Sequence, residues 1–344
     1  MKTKSLRYVI PLIAVVVLIA AAAYTLRSQP QSPSPAEAQS KDKRRPLRLG
    51  FSTWVGAYPL ALAKEKGFFT RQGVEVELLF KADFNDLLPD FAAGRLDGLD
   101  FAPDGPLRIS KSSAVKVVLW SGDCLGCDSV VAQSRFQSVA DLKGHKIGIR
   151  VGSFGEMLIE QMMKRNGLTI GDVQLVNADE KTVPGYLQND TIQAGHTWEP
   201  YTAQALKDGG KVLFSTKETP GLFSDVTMFH QSVLDERPDD VRAFIRGWFE
   251  AIAYWEANPK EGSEIIGKAL KAPPAEILDA RGAYEYFSPK EVARRLALGN
   301  DPTSLSSVMQ RHADFLVRTG ALGRRPNIDD LITAEFLPAA APPR

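Results

Sequence analysis

From Leu47 onward the chain alternates short apolar, β-rich runs with stretches in which apolar residues recur every three or four positions. "LRLGFST" (47–53) reads as a strand. "PLALAKEKGFF" (59–69) reads as a helix that turns Leu60, Leu62, Ala63 and Phe68 inward. "VEVELLF" (74–80) is the next strand and "FNDLLPDFAAG" (84–94) the next helix, stopped by Gly94. The strands "GLDFAP" (98–103), "VKVVLW" (115–120) and "SVVAQ" (129–133) follow. A second set then begins: strand "KIGIR", helix "FGEMLIEQMMKRNG", strand "VQLVNA", a helix around "VPGYLQ", strand "IQAGHTW", helix "EPYTAQALKDG" and strand "KVLFST". After "DVTMFHQSVL" (225–234) the pattern turns almost wholly helical, from "PDDVRAFIRGWFEAIAYWEANP" to "IDDLITAEFL".

Strands and helices that alternate in this way specify mainly parallel sheets with helices on both faces. Two sets imply two α/β lobes, and the final helices need an existing sheet to pack on. The expected organisation is therefore lobe 1 from residues 47–130 and 228–340, with lobe 2 from 131–227 inserted between them.

The N-terminus has another character. Lys2, Lys4 and Arg7 precede an apolar run from Tyr8 to Leu26, and residues 27–46 form a Pro/Ser/Gln-rich stretch without periodicity. Residues 1–26 read as an export signal followed by a flexible tether. The run approaches the roughly 20 residues that span a bilayer, with its basic flank cytoplasmic. Two fates stay open: a retained membrane anchor, favoured by Tyr24 and Leu26 extending the run, or cleavage after Ala23 and release. Either puts the body on the extracytoplasmic, periplasmic side. No cysteine precedes Cys124, which excludes a lipoprotein anchor.

The charge balance narrows the partners. Eight of 42 Lys/Arg and two of 41 Asp/Glu fall in the first 45 residues, leaving 34 against 39 in the body. A body at net −5 is not built for nucleic acid.

Several collinear segments carry a family resemblance: "GFSTWVGAYPLALAKEKGFFTRQGVEVELLF", "FAAGRLDGLDFAP", "SVADLKGHKIGI", "HTWEPYTAQALKDGGKVLFST" and "RAFIRGWFEAIAYWEANP". Over residues 47–320 the chain resembles the nitrate/sulfonate/taurine class of substrate-binding proteins of ABC importers. The resemblance implies the type II periplasmic-binding fold, whose two lobes close on a ligand. It also implies a permease partner in the membrane, and no chemistry on the ligand. No cofactor, metal or catalytic residue is expected, and a monomer is.

The residues point to a site in the same place. Ligands of open α/β sheets sit beyond the carboxyl ends of the strands. Those ends supply Thr53, Trp54 and Gly56, then Asp83 and Phe84, Pro103 and Asp104, Asp123 to Asp128, Arg150 with Ser153 and Phe154, and Trp198 with Glu199. Trp54 suits a lid on a small ligand, or else it plugs the edge of a core. The Gly152-Ser153-Phe154-Gly155 turn opens a helix whose free N–H groups favour an anion, or Ser153 is an ordinary cap. Glu199 sits in a Trp-Glu-Pro sequence that matches the family's cleft motif in lobe 2, or it merely starts a helix. Among these residues carboxylates outnumber cations, which favours a ligand with an amine or several hydroxyls over bare nitrate. Arg150 and the Ser153 turn would hold an anionic end, so a zwitterion such as an aminosulfonate fits.

Cys124 and Cys127 are the only cysteines. Exported thiols are normally oxidised. The pair lies between two strands, not at a helix N-terminus, and Asp123 and Asp128 beside it disfavour a reactive thiolate. A zinc site lacks a second pair, because His145, His196, His230 and His312 are scattered along the chain. A local disulfide shaping a cleft loop follows, although so small a ring contributes only about 2 kcal/mol of loop entropy. The family usually carries small polar residues or glycine at these two places. Besides a receptor feeding an importer, two other classes stay open: a membrane-tethered sensor of the same fold, and an enzyme, either a thiol oxidoreductase or a relative of thiamin-pyrimidine synthases. The latter carry a cysteine-rich iron motif that "CLGC" does not reproduce.

Overall fold

The computed structural model describes residues 45–338 apart from 298 and 300. The expected anchor or signal at 1–26 and nearly all of the tether at 27–46 lie outside the described residues. Among those described, no helix is long and apolar enough to cross a membrane.

Eleven strands among the described residues form two sheets. The first joins β1 (Leu47–Phe51), β2 (Val76–Phe80), β3 (Gly98–Phe101), β4 (Val115–Cys124), β10 (Ser224–His230) and β11 (Tyr284–Tyr286) in the order β11-β4-β10-β3-β1-β2. The second joins β5 (Asp128–Gln133), β6 (Lys146–Ile149), β7 (Gln174–Asn177), β8 (Ala194–Trp198) and β9 (Gly210–Ser215) in the order β7-β6-β8-β5-β9. The chain crosses between sheets at 125–127 and returns at 216–223, a few residues before the boundaries drawn from the sequence at 130/131 and 227/228.

The expectation of mainly parallel sheets needs correction, because both are mixed. β1 runs parallel to β2 and β3, and β6 runs parallel to β7 and β8. β10 is antiparallel to β3 and β4, β11 to β4, and β5 to β8 and β9. β5 and β10 have each just crossed from the other sheet, and β11 is a short edge strand. A strand that enters its sheet from the cleft side has to run opposite to strands that end there.

The helices follow the apolar periodicity. α1 (Tyr58–Glu65) and α2 (Phe68–Arg71) lie beside β1, then come α3 (Leu87–Ala92) and α4 (Asp104–Ile109). In the second lobe α5 (Phe154–Arg165), α6 (Val183–Gln188) and α7 (Tyr201–Lys207) cover the sheet. α8 (Gln231–Glu236) leads into the 20-residue α9 (Pro238–Ala257), which does return to the first lobe. Its Phe244 stacks on Phe69 with ring centroids 5.3 Å apart and meets Phe229 of β10 at 5.5 Å. α10 (Pro259–Leu270), α11 (Pro274–Gly282), α12 (Pro289–Leu296) and α13 (Leu305–Arg318) complete it.

The C-terminal stretch is less helical than its periodicity suggests. Tyr284–Tyr286 pairs with β4, and 328–337 holds only a short 3-10 turn at Asp329–Leu331 and a bridge from Ile332 to Val117. Gly122 permits the β4–β11 pairing: a Cβ there would lie 2.2 Å from the carbonyl oxygen of Glu285 and 2.4 Å from the Tyr284 ring. Gly122→Ala should therefore push β11 off its strand and destabilise the protein by about 1–3 kcal/mol, measured as a lowered midpoint in urea with m unchanged. An unchanged midpoint would show that β11 contributes nothing to the sheet.

Candidate functional site

The cleft-facing ends of the strands converge on a partly open pocket. Its walls are Trp54, Phe84, Ala102 and Pro103 from the first lobe, and Asp128, Phe154 and Trp198 from the second. Cys124, Phe223, Ser224 and Asp225 come from the two crossings and the start of β10, and His312 from α13. The aromatic rings touch across the lobes. Trp54 meets Phe84 at 5.8 Å and Trp198 at 6.1 Å, and Phe154 lies over Trp198 at 6.3 Å and meets Phe223 at 6.2 Å.

An adjoining groove shares Trp54, Phe84 and Trp198 with the pocket. Thr53, Asp83, Asp179, Glu180, Lys181 and Tyr201 also line it.

Trp54 is held by a partner far along the chain. Its indole N–H donates to Asp225 Oδ2 at 2.7 Å, and the Tyr284 hydroxyl donates to the same oxygen at 2.9 Å. Gly56 allows this approach, because a Cβ at that position would lie 2.4 Å from Asp225 Oδ2. Behind Asp225 on the same face of the first sheet, Asp100 accepts hydrogen bonds from Ser121 and from Thr227, the latter at 2.9 Å. These carboxyls are buried. Burial first, and Asp100 second, push Asp225 well above the usual carboxylate range, against the hydrogen bonds from Trp54 and Tyr284. Burial lifts Asp100 to about 7 despite its two hydroxyl donors.

On the opposite wall, Asp128 Oδ1 lies 2.9 Å from His196 Nε2, and its Oδ2 is 3.2 Å from Cys124 Sγ. His196 is buried against Phe154 and Trp198. His312 donates its Nε2–H to the Leu222 carbonyl at 3.0 Å, and burial lowers its pKa, which keeps it neutral.

The cysteines are joined in a disulfide, as the sequence suggested, with Cα atoms 5.6 Å apart. The bridge spans the first crossing, and Cys124 forms part of the pocket wall. The second crossing is fastened to it. Cys124 N–H donates to the Phe223 carbonyl at 2.9 Å, Gly126 N–H donates to Thr216 Oγ1 at 2.9 Å, and that hydroxyl lies 3.0 Å from Cys124 Sγ. The two sulfurs and Asp128 form a cluster with ligand-type atoms within 4.8 Å, but sulfurs tied to each other are not thiolate ligands.

Of the residues singled out from the sequence, Trp54, Phe84, Pro103, Cys124, Asp128, Phe154 and Trp198 meet at the pocket. The others are placed elsewhere. Asp83 lines the outer groove. Asp104 is paired with Arg108 at 2.7 Å, and Asp123 with Arg295 at 3.1 Å; burial raises Asp123 to about 6. Arg150 is ringed by Glu180 at 2.9 Å, Asp179 at 3.0 Å and Asp83 at 3.9 Å. Ser153 caps α5, its hydroxyl accepting from Gly155 N–H at 3.2 Å, while the Glu156 carboxylate accepts from Gly152 N–H at 2.7 Å. Glu199 is exposed and accepts from Ala203 N–H at 3.1 Å, so it serves its own helix.

Phe223, Ser224, Asp225, His196 and His312 were missed. β10 is antiparallel, so its amino end faces the cleft, and the rule of carboxyl ends passes over it. His196 carried a usable signal: two residues before Trp198 on one strand, it shares that residue's face.

Residues 55–262 match the family model described as NMT1/THI5 like. The chain belongs to the NMT1/THI5-like family. A protein of Brucella abortus described only as a binding protein is 26% identical over 300 residues, which cover 86% of this chain and 92% of the relative. A Bacillus subtilis protein described as aliphatic sulfonates-binding is 23% identical over 313 residues, covering 86% and 88%. The crystal structure of the periplasmic aliphatic sulphonate binding protein SsuA from Escherichia coli superposes with a TM-score of 0.71 at 18% identity, over 85% of this chain and 92% of that one. This likeness shows that the NMT1/THI5-like chain has the two-lobed α/β fold of periplasmic binding proteins.

The buried carboxyls make stability depend on pH. A carboxyl whose pKa is raised on folding gives stability that is full below its unfolded pKa, near 4, and is lost as the pH climbs toward the folded value, here about 7 for Asp100. Urea midpoints of the parent should therefore fall between about pH 4.5 and 7.5. Asp100→Asn can still accept from Ser121 and Thr227, and it should be more stable at pH 7.5 by on the order of 1–2 kcal/mol, with a shallower pH slope. Parallel pH profiles for the two proteins would show that Asp100 does not titrate in this window.

Proposed function

We propose that this protein is an extracytoplasmic solute receptor that captures a small organic molecule between its lobes and delivers it to an ABC importer. The observation that carries the reading is the aromatic cage, because its rings come from both lobes. Trp54 and Phe84 stand on one side, Phe154 and Trp198 on the other. A ligand that touches all four is bound well only when the lobes are together, so occupancy becomes a change of shape that a permease can read. The relatives described as sulfonate-binding fit the same role. Residues 1–26 would take the chain across the membrane and either hold it there or be removed. Trp54, Phe84, Asp128, Phe154 and Trp198 would contact the solute, with Ser224 and Asp225 reaching it from β10.

The closed arrangement has its own fasteners away from the cage. Arg318 on α13 forms two hydrogen bonds of 2.7 Å with Glu160 on α5, and Arg108 of the first lobe donates to the Gly152 carbonyl of the second at 2.5 Å. An exposed pair of this kind contributes about 0.2–1 kcal/mol, enough to bias closure without locking it.

Native mass spectrometry of protein exported from its own host should reveal a bound small molecule. Adding that molecule to stripped protein should lower the radius of gyration in solution scattering. Trp198→Ala removes one wall and should weaken binding roughly tenfold or more through lost apolar contact, with the unliganded melting temperature little changed. A radius of gyration indifferent to the bound molecule would sink the receptor reading.

A further inference from the structure

The charges around the pocket carry the reading further. Two carboxyl side chains, Asp128 and Asp225, form part of its wall, each nine-tenths or more buried, and no lysine or arginine lines it. Of the cations near the cleft, Lys181 lines only the adjoining groove, and two arginines are already engaged. Arg150 is engaged by three carboxylates of its own chain, and Arg108 by Asp104 and the Gly152 carbonyl. At the opening of α5 the Gly152 N–H is taken by the Glu156 carboxylate and the Gly155 N–H by the Ser153 hydroxyl. An anion entering here would meet buried carboxyls and aromatic faces, both of which repel it. A cation meets the opposite: ring faces attract positive charge, most of all those of tryptophan, and a carboxylate beside them completes the counter-charge. Ser224 adds a buried hydroxyl in the pocket wall with no hydrogen-bond partner among the described residues, available to a polar group on the ligand.

We infer that the solute is a small organic cation, an alkyl- or aryl-ammonium, seated among Trp54, Phe84, Phe154 and Trp198 with its charge toward Asp128 and Asp225. This inference rests on the receptor reading above and names its ligand class. It departs from the sulfonates named for relatives.

A proton accompanies the ligand. Asp225 is faced by Trp54 from the turn after β1, Asp100 from β3, Asp128 from β5 and the Tyr284 hydroxyl from β11, with Tyr286 nearby. None of these brings a positive charge, so Asp225 holds its proton until a cation arrives. Binding then favours the ionised carboxylate and releases that proton, and affinity for a cation rises with pH.

Tetramethylammonium, choline and benzyltrimethylammonium can be titrated calorimetrically into the stripped protein, beside 3,3-dimethylbutan-1-ol as the neutral counterpart of choline and taurine and ethanesulfonate as anionic probes. At least one ammonium compound should bind, more tightly at pH 8 than at pH 6. Choline should exceed its neutral counterpart by tenfold or more, and the sulfonates should not bind. Asp225→Asn keeps the acceptor for Trp54 and Tyr284 and removes the charge; with Asp128→Asn as the second variant, each should weaken ammonium binding at least tenfold while the unliganded melting temperature is maintained or raised. Equal binding of choline and its neutral counterpart, tighter binding of a sulfonate, or no binding of any ammonium compound would each overturn the cation inference. The receptor reading is judged separately, by the co-purified molecule and the closure it causes.

Discussion

The hydrogen bond from the Trp54 indole to Asp225, 171 residues away, ties together most of what the cleft does. Trp54 follows the first strand and would otherwise swing at the mouth of the pocket. Asp225 begins the strand by which the chain returns to the first lobe. Their bond fixes an aromatic wall to a buried carboxyl, and Gly56 is needed there because any larger residue would occupy the space of the carboxylate oxygen. Tyr284 donates to the same oxygen, and it can do so only because Gly122 lets β11 lie against β4. One acceptor thus coordinates the turn after β1, the return strand and a short edge strand.

This arrangement is costly in isolation. Asp225 and Asp100 share the polar side of the first sheet, where burial disfavours both charges and Asp100 raises the proton affinity of Asp225 further. Hydroxyl and indole donors offset part of that cost, and no cation is supplied by the chain. Elsewhere the protein behaves differently. Asp123 has Arg295, which also stacks over Phe287 with its guanidinium carbon 4.1 Å from the ring centre, and Asp104 has Arg108. Asp123 and Asp104 are thus paired with arginine, whereas Asp128 and Asp225 in the pocket wall have no arginine partner among the described residues. That contrast gives the site its character.

The crossings add a mechanical constraint. The disulfide closes the three-residue passage from β4 to β5, and backbone and hydroxyl hydrogen bonds pin the return passage beside it. The lobes are thus joined by a short, fastened pair of segments, and two of the fastening residues, Cys124 and Phe223, lie in the pocket wall itself. The earlier expectation of a cleft-loop disulfide holds, and the structure adds that the loop is the crossing.

The α/β alternation, the division into two lobes and the return of the long amphipathic helix 238–257 to the first are legible in the chain itself, as are seven of the pocket residues: Trp54, Phe84, Pro103, Cys124, Asp128, Phe154 and Trp198. These are local matters, because periodicity fixes which face of an element is buried and the end of a strand fixes where the next side chain emerges. Tertiary structure decided the rest. Strand direction in a sheet depends on where the chain enters it, so the mixed topology, and with it the cleft-facing amino end of β10 that brings Phe223, Ser224 and Asp225 into the site, has no local signature. Nor does the fate of a charge: Arg150, Asp104, Asp123 and Glu199 look as available in the sequence as Asp128 does, and only the folded neighbours show that the first three are held by partners of opposite charge and the last by the backbone of its own helix. Burial energy depends on what stands a few ångströms away, and those neighbours come from as far as 172 residues along the chain.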